Sequence, residues 1–150
     1  MQDIQKLHDI LTELTAIFEE LFELESVKID AIAANDIPKL DNCMKDEQVI
    51  SMRLRGLDAK REKVQAELRM PGLTFKEIIE RAEGEEKETL SEAYIQLEGR
   101  LACVKEATEC SKKYIELHLK SLDFLLTQLD HVKNNPDSQA SPEKKHEEKV

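Results

Sequence analysis

The chain has no tryptophan, only four glycines and four prolines in 150 residues, and aromatics amount to 4 %. Sheets need turn residues and β-branched or aromatic fillers, so this composition speaks against a sandwich or barrel. Cysteine is scarce too: Cys43, Cys103 and Cys110 cannot all pair, and none sits in a CxxC or Cys/His cluster. A disulfide framework is excluded, and reduced thiols on helices are expected, with Cys103 and Cys110 one heptad apart near a helix seam. No window of about 18 apolar residues occurs, so no membrane insertion is expected. The start, MQDIQKLHDI, lacks a basic stretch followed by an apolar one, so a cytoplasmic location is expected.

Catalytic signatures are missing as well. There is no HExxH, GxGxxG, Walker-type loop or GxSxG, and four glycines leave little material for a phosphate cradle. A carboxylate-bridged metal centre in a helical bundle needs Glu-x-x-His pairs on facing helices, whereas the one such pair, Glu143 and His146, lies in the C-terminal tail. No catalytic residue, metal site or cofactor is therefore expected, and the chain reads as a non-enzyme. An excess of basic residues is absent too, with 32 acidic against 22 basic side chains and a net charge of -10. Residues 1–36 carry 9 acidic and 2 basic groups, and only 37–70 are slightly basic, with 8 Lys or Arg against 6 Asp or Glu. Nucleic acid is a poor partner for such a surface. The cluster Arg53, Arg55, Lys60, Arg61 and Lys63 reads instead as a helix face that pairs with the acidic first segment.

What is present is heptad periodicity. Ile4, Leu7, Leu11, Leu14, Phe18 and Leu21 follow 3, 4 spacing, the signature of a helical seam. Ile10, Ile17, Phe22 and Leu24 widen that stripe, so the first helix needs at least two neighbours. Asn35 and Asp36 before Pro38 place a turn near 34–37. A second helix carries Ile37, Leu40, Met44, Ile50, Leu54, Leu57, Val64 and Leu68, and Pro71–Gly72 stops it near Met70. Thr74 and Glu77 form a capping box for a short helix that fades at Gly84 in the acidic run EGEEKE. From Leu90 to Val132 a seam with 4, 3 spacing predicts a helix of about 43 residues, roughly 65 Å long. Within it, the polar stretch Thr108 to Lys113 is expected to set register, and His118 takes a seam position as a partner for a Glu on the first helix. Residues 133–150 are polar and expected to be disordered, leaving 1–132 as the helical domain. The fold class is all-α: an antiparallel, coiled-coil-like bundle of two or three long helices and one short one, the last packed on the first.

The segment YIELHLKSLDFLLTQL is apolar nearly all round its helix and must be covered on every side. The first helix, a second copy of the chain, or an amphipathic helix from another protein could cover it. The candidate site is Leu117, Leu122, Phe124, Leu125 and Leu129. The seam Leu122, Leu125 and Leu129 is expected to close the fold, and the pair Leu117 and Phe124, seven residues apart, to meet a partner.

Three stretches, IAANDIPKLDNC with Glu47, Ile50, Leu54, Leu57 and Arg61 behind it, GLTFKEIIERAEGEEKETL, and SLDFLLTQL, resemble the FlgN-type flagellar export chaperones over about residues 4–130. Where many members carry an Asn-x-x-Asn pair in the last helix, this chain has Ser111 and Tyr114. The resemblance implies a type III flagellar export chaperone for hook-associated (hook-filament junction) proteins. It implies too that the chaperone prevents their premature assembly by binding their amphipathic terminal helices, and delivers them to an export gate component. A dimeric coiled-coil scaffold or regulator with no secretion role is the alternative, and a homodimer is compatible with both.

Overall fold

A computed structural model describes residues 2–134, with side chains described from Ile4 to Val132. Of the expected polar tail, 133–150, the first two residues belong to the last helix and the rest, from residue 135 on, lie outside the described residues. Four α-helices and, among the described residues, no strand make up the chain: α1 (Gln2–Ala33), α2 (Ile37–Glu67), α3 (Phe75–Arg81) and α4 (Gly84–Asn134). The all-α reading holds. Residues fall into two compact units, one up to Ser111 and one from Lys112 onward.

In the first unit the widened stripe of α1 sets the arrangement. Three positions per heptad are covered: Leu7, Leu14, Leu21 and Lys28; Ile10, Ile17, Leu24 and Ala31; and Leu11, Phe18, Glu25 and Ile32. Such a stripe is wider than a two-helix seam and takes a neighbour on each edge. On one edge lies α2, antiparallel to α1: Lys6 pairs with Glu67 (3.7 Å), Glu20 with Arg53, and Lys28 with Glu47 (2.9 Å). As the α1 number rises, its partner on α2 falls. On the other edge the first part of α4 runs in the same direction as α1, through Glu19–Arg100 (3.1 Å) and Glu25–Ser111 (2.5 Å). The acidic first segment does attract Arg53 as charge patterning suggests, whereas Arg61 bonds within its own helix to Asp58 and Gln65.

Alternation on α2 is as regular. Cys43, Ile50, Leu57 and Val64 are buried at strict heptad spacing, and Leu40, Glu47, Leu54, Arg61 and Leu68 complete the seam half-buried. The largest cluster gathers Leu7, Ile10, Leu11, Val64, Ile78, Leu90 and Leu97, which joins all four helices at one end. Full burial of a Leu or Ile contributes about 1.5–3 kcal/mol, so this cluster dominates the stability of the unit. A second cluster, Ile17, Ile50 and Leu57 with Leu14, Leu21, Leu24 and Leu54, belongs to α1 and α2 alone.

Local chemistry sets the helix ends. Asn35, at φ 53°, turns the chain after α1, and the Asp36 carboxylate accepts the Lys39 N–H at the start of α2. After α2, Arg69 (φ 60°) and Gly72 (φ 74°) carry the chain through left-handed backbone. The buried Gln65 amide fastens that loop by donating to the Met70 and Leu73 carbonyls at 3.0 and 2.9 Å. Thr74 Oγ1 accepts the Glu77 N–H, as the capping box requires. The acidic run differs from expectation: α3 ends at Arg81, and Gly84 opens α4 with Glu85 and Glu86 in its first turn. Carboxylates there meet the positive end of the helix dipole, so the acidic run starts a helix instead of ending one.

Cys43 is buried while Cys103 and Cys110 are exposed, and all three are free thiols. Burial pushes the Cys43 thiol up, and Asp46 and Glu47 push in the same direction. The seam of α4 uses Val104 and Ser111, one residue beyond each of the other two thiols, which therefore sit outside it. Thiolate, not thiol, reacts, so a disulfide-exchange reagent at neutral pH should label two thiols quickly and Cys43 only at the rate of unfolding. Three equal rates would contradict the burial of Cys43. A second outcome concerns Gly56, which lies within α2 with open space where a Cβ would stand. Gly56→Ala should raise stability by about 0.5–1 kcal/mol in urea titration, and a loss would show that this face is covered.

Candidate protein-binding surface

The hydrogen bond between Ser111 Oγ and Glu25 Oε2 is the last buried polar tie that α4 makes in the first unit. Glu25 is only 4 % exposed and Ser111 2 %. Both stand at positions where the two stripes call for apolar residues, as do Lys28 and Thr108 nearby in sequence and Glu47 on the seam of α2. A buried carboxylate fixed by one hydroxyl selects a single register, because any slip leaves it unpaired. This tie was not foreseen as a pair, although the polar break at Thr108 to Lys113 signals it. α1 itself ends at Ala33, soon after Glu25.

From Lys112 to Val132 no side chain of α4 is buried. Tyr114, Ile115, His118 and Val132 are half-buried, and the large apolar residues are open: Leu117 63 %, Leu119 58 %, Leu122 44 %, Phe124 63 %, Leu125 57 %, Leu126 60 % and Leu129 56 % exposed. The helix forms here because Leu and Lys, both good helix formers, are the commonest residues and Gly and Pro are absent from 112–132. Its hydroxyls are satisfied within the helix, Ser121 Oγ donating to the Leu117 carbonyl (3.0 Å) and Thr127 Oγ1 to that of Asp123 (2.9 Å). The rings of Tyr114 and His118 stack, with centroids 6.5 Å apart and planes 8° from parallel.

At 3.6 residues per turn the apolar side chains cover an arc of about 220°. One edge of the arc is Ile115, Leu119, Leu122, Leu126 and Leu129, again with 4, 3 spacing. The other is Leu117 and Phe124, with Tyr114 beside them, and Leu125 lies between. Lys112, Glu116, Lys120, Asp123, Thr127 and Asp130 share the narrow polar remainder. All five residues expected to form the site are thus on one open helical segment. The division among them is corrected: Leu122, Leu125 and Leu129 were expected to close the fold and instead stand exposed. Periodicity reports that a face is apolar, and only a partner of sufficient length buries it.

The rest of the described surface has a different character. Its grooves hold no group of three or more His, Cys, Asp or Glu placed to bind a metal ion, among the described residues. Nor is any helix there long and apolar enough to cross a membrane. A groove of about 390 Å³ lined by His8, Thr12, Thr15, Glu19, Thr89 and Glu92, among others, is shallow and open to solvent.

The family model described as FlgN protein matches the chain over residues 1–140. No curated protein and no solved structure matches the chain.

Exposure makes a direct statement about energetics. Leu11→Ala removes a fully buried side chain and should cost about 2–5 kcal/mol in denaturant titration of dilute protein. Leu125→Ala, by the same measurement, should change stability by less than about 0.5 kcal/mol. A loss of 2 kcal/mol or more at Leu125 would show that this residue belongs to a core.

Proposed function

Because the chain belongs to the FlgN family, a family of flagellar export chaperones, we propose that it acts without catalysis as a cytoplasmic type III export chaperone for hook-associated proteins. The open end of α4 holds the amphipathic terminal helices of these clients, keeps them from assembling early, and gives them up at the export gate. The observation that carries this reading is the run of seven exposed large apolar side chains from Leu117 to Leu129. Soluble monomers rarely leave so much contiguous apolar surface open unless it serves an interaction. A helix in a groove is the matching mode, with anchors at i, i+3, i+4 and i+7.

Binding must also be reversible. A terminal segment that is disordered before assembly loses chain entropy as it folds onto the chaperone, at a cost of about 2–5 kcal/mol. That cost keeps the net affinity modest while the apolar contact area stays large, so an export machine can strip the client. Leu117, Leu122, Phe124, Leu125 and Leu129 are the contact residues. Phe124 and Leu117 dominate, since the pair forms one edge and lacks any intramolecular role.

Light scattering of the purified chain with the C-terminal segment of a hook-associated protein from the same organism should give a small, stable complex. The double variant Leu117→Ala, Phe124→Ala should keep its melting temperature and weaken capture by at least about 1 kcal/mol for each truncation. If the variant melts early and binds normally per folded molecule, the two residues are structural and the reading fails. A scaffold without a secretion role would ignore the segment altogether.

A further inference from the structure

We infer that the outer face of α2 is a second docking surface, and that its occupant is an acidic amphipathic helix of another protein. The inference uses residues of the first unit alone and does not depend on the client reading. Besides its buried seam, α2 carries a second run of 3, 4 spacing on the side turned away from the core: Val49, Met52, Gly56, Ala59, Lys63 and Ala66. All six are exposed, Val49 at 54 % and Met52 at 68 %. Gly56 stands near the centre of the run. A glycine in a helix interior costs stability, and no packing within this chain requires one here, since open space surrounds the place of its Cβ. Beside it a groove of about 470 Å³ opens between α1 and α2, lined by the buried Ile17 and Leu57, the small Ala16 and Gly56, and the charged Glu13, Arg53 and Lys60. A helix laid along the run comes close to the backbone at Gly56 and can set one large side chain into that groove.

Charge selects the occupant. Arg55 and Lys60 flank the run on its two sides and Lys63 continues it, with Glu62 as the acidic neighbour. Arg53 and Arg61, the other members of the basic cluster, are taken up by Glu20 and by Asp58 and Gln65. Arg55, Lys60 and Lys63 take part in no ion pair among the described residues. The chain as a whole has a net charge of -10, and residues 1–36 carry 9 acidic against 2 basic groups. An acidic helix is therefore repelled along α1 and attracted here, which fixes where it lands. A nucleic acid would meet the same cations but leave Val49 and Met52 unused, so the apolar run favours a helix.

Fluorescence anisotropy tests this with a labelled three-heptad peptide that carries Leu and Ala on its seam and Glu on both flanks, titrated with the full chain. The acidic peptide should bind at least about tenfold tighter than the same peptide with Lys flanks, and its binding should weaken several-fold as salt rises from about 50 to about 500 mM. Gly56→Leu puts a side chain where the helix would lie, and should cost at least about tenfold in affinity with no fall in melting temperature. Arg55→Glu with Lys60→Glu and Lys63→Glu should reverse the preference between the two peptides. Leu117→Ala with Phe124→Ala should leave acidic-peptide binding unchanged, which separates this face from the client surface. The inference is overturned if the two peptides bind alike, if Gly56→Leu binds as wild type, or if the charge reversal has no effect. It is overturned equally if a single-stranded oligonucleotide binds as tightly as the acidic peptide, or if only the α4 variant loses the peptide. Capture of the hook-associated segment is titrated separately and should be the same for Gly56→Leu as for wild type. A chain that captures that segment and ignores the acidic peptide defeats the second surface alone, and the converse defeats the chaperone reading alone.

Discussion

The first unit depends on the width of the stripe on α1. Two covered positions per heptad would have made a simple hairpin with α2. The third, carried by Leu11, Phe18, Glu25 and Ile32, obliges a second neighbour and draws the first part of α4 alongside. α2 ends beside the start of α1, and the connection through α3 turns the chain back there so that α4 can run in the direction of α1. Gln65 and the Thr74 cap hold that return in place, and Ile78 of α3 closes the end of the cluster around Leu7, Ile10 and Leu11.

Along the same stripe the residues change from apolar to polar. Near the start of α1 all stripe positions are Leu or Ile. Near its end they include Glu25 and Lys28, answered by Ser111 and Glu47. Hydrogen-bonded and ionic positions of this kind add less stability than Leu would and discriminate more strongly between registers. The molecule thus has a strong apolar end and a weaker, more selective polar one. Beyond Ser111, α4 leaves its large apolar residues exposed, and these are the residues we propose for client contact.

Much of this was legible in the sequence, and for identifiable reasons. Heptad spacing in α1 and α2 persists over several turns, so the seams were readable residue by residue. Asp36, Thr74 and the Pro71–Gly72 stop act through local geometry, which needs no knowledge of the fold. Gly84 and the acidic run were misread because carboxylates weaken a helix surface by repulsion yet favour its first turn, and composition does not say which applies. The candidate residues on α4 were legible as an apolar surplus. Their division between core and surface was not, since Leu122, Leu125 and Leu129 have the same spacing as Leu90, Leu97 and Val104. Whether such a seam is buried depends on the length of the neighbouring helices, and a local pattern holds no record of that length.

The central claim is that one continuous helix serves two purposes, core up to Ser111 and contact surface from Lys112 on. Amide hydrogen exchange of the full chain at sub-micromolar concentration, with and without the client segment, tests it most directly. The account predicts strong protection for the stretch around Leu90 to Val104 in both states, and weak protection for 114–130 that rises by at least about tenfold when the segment is added. Equal, client-independent protection along the whole of α4 would contradict it.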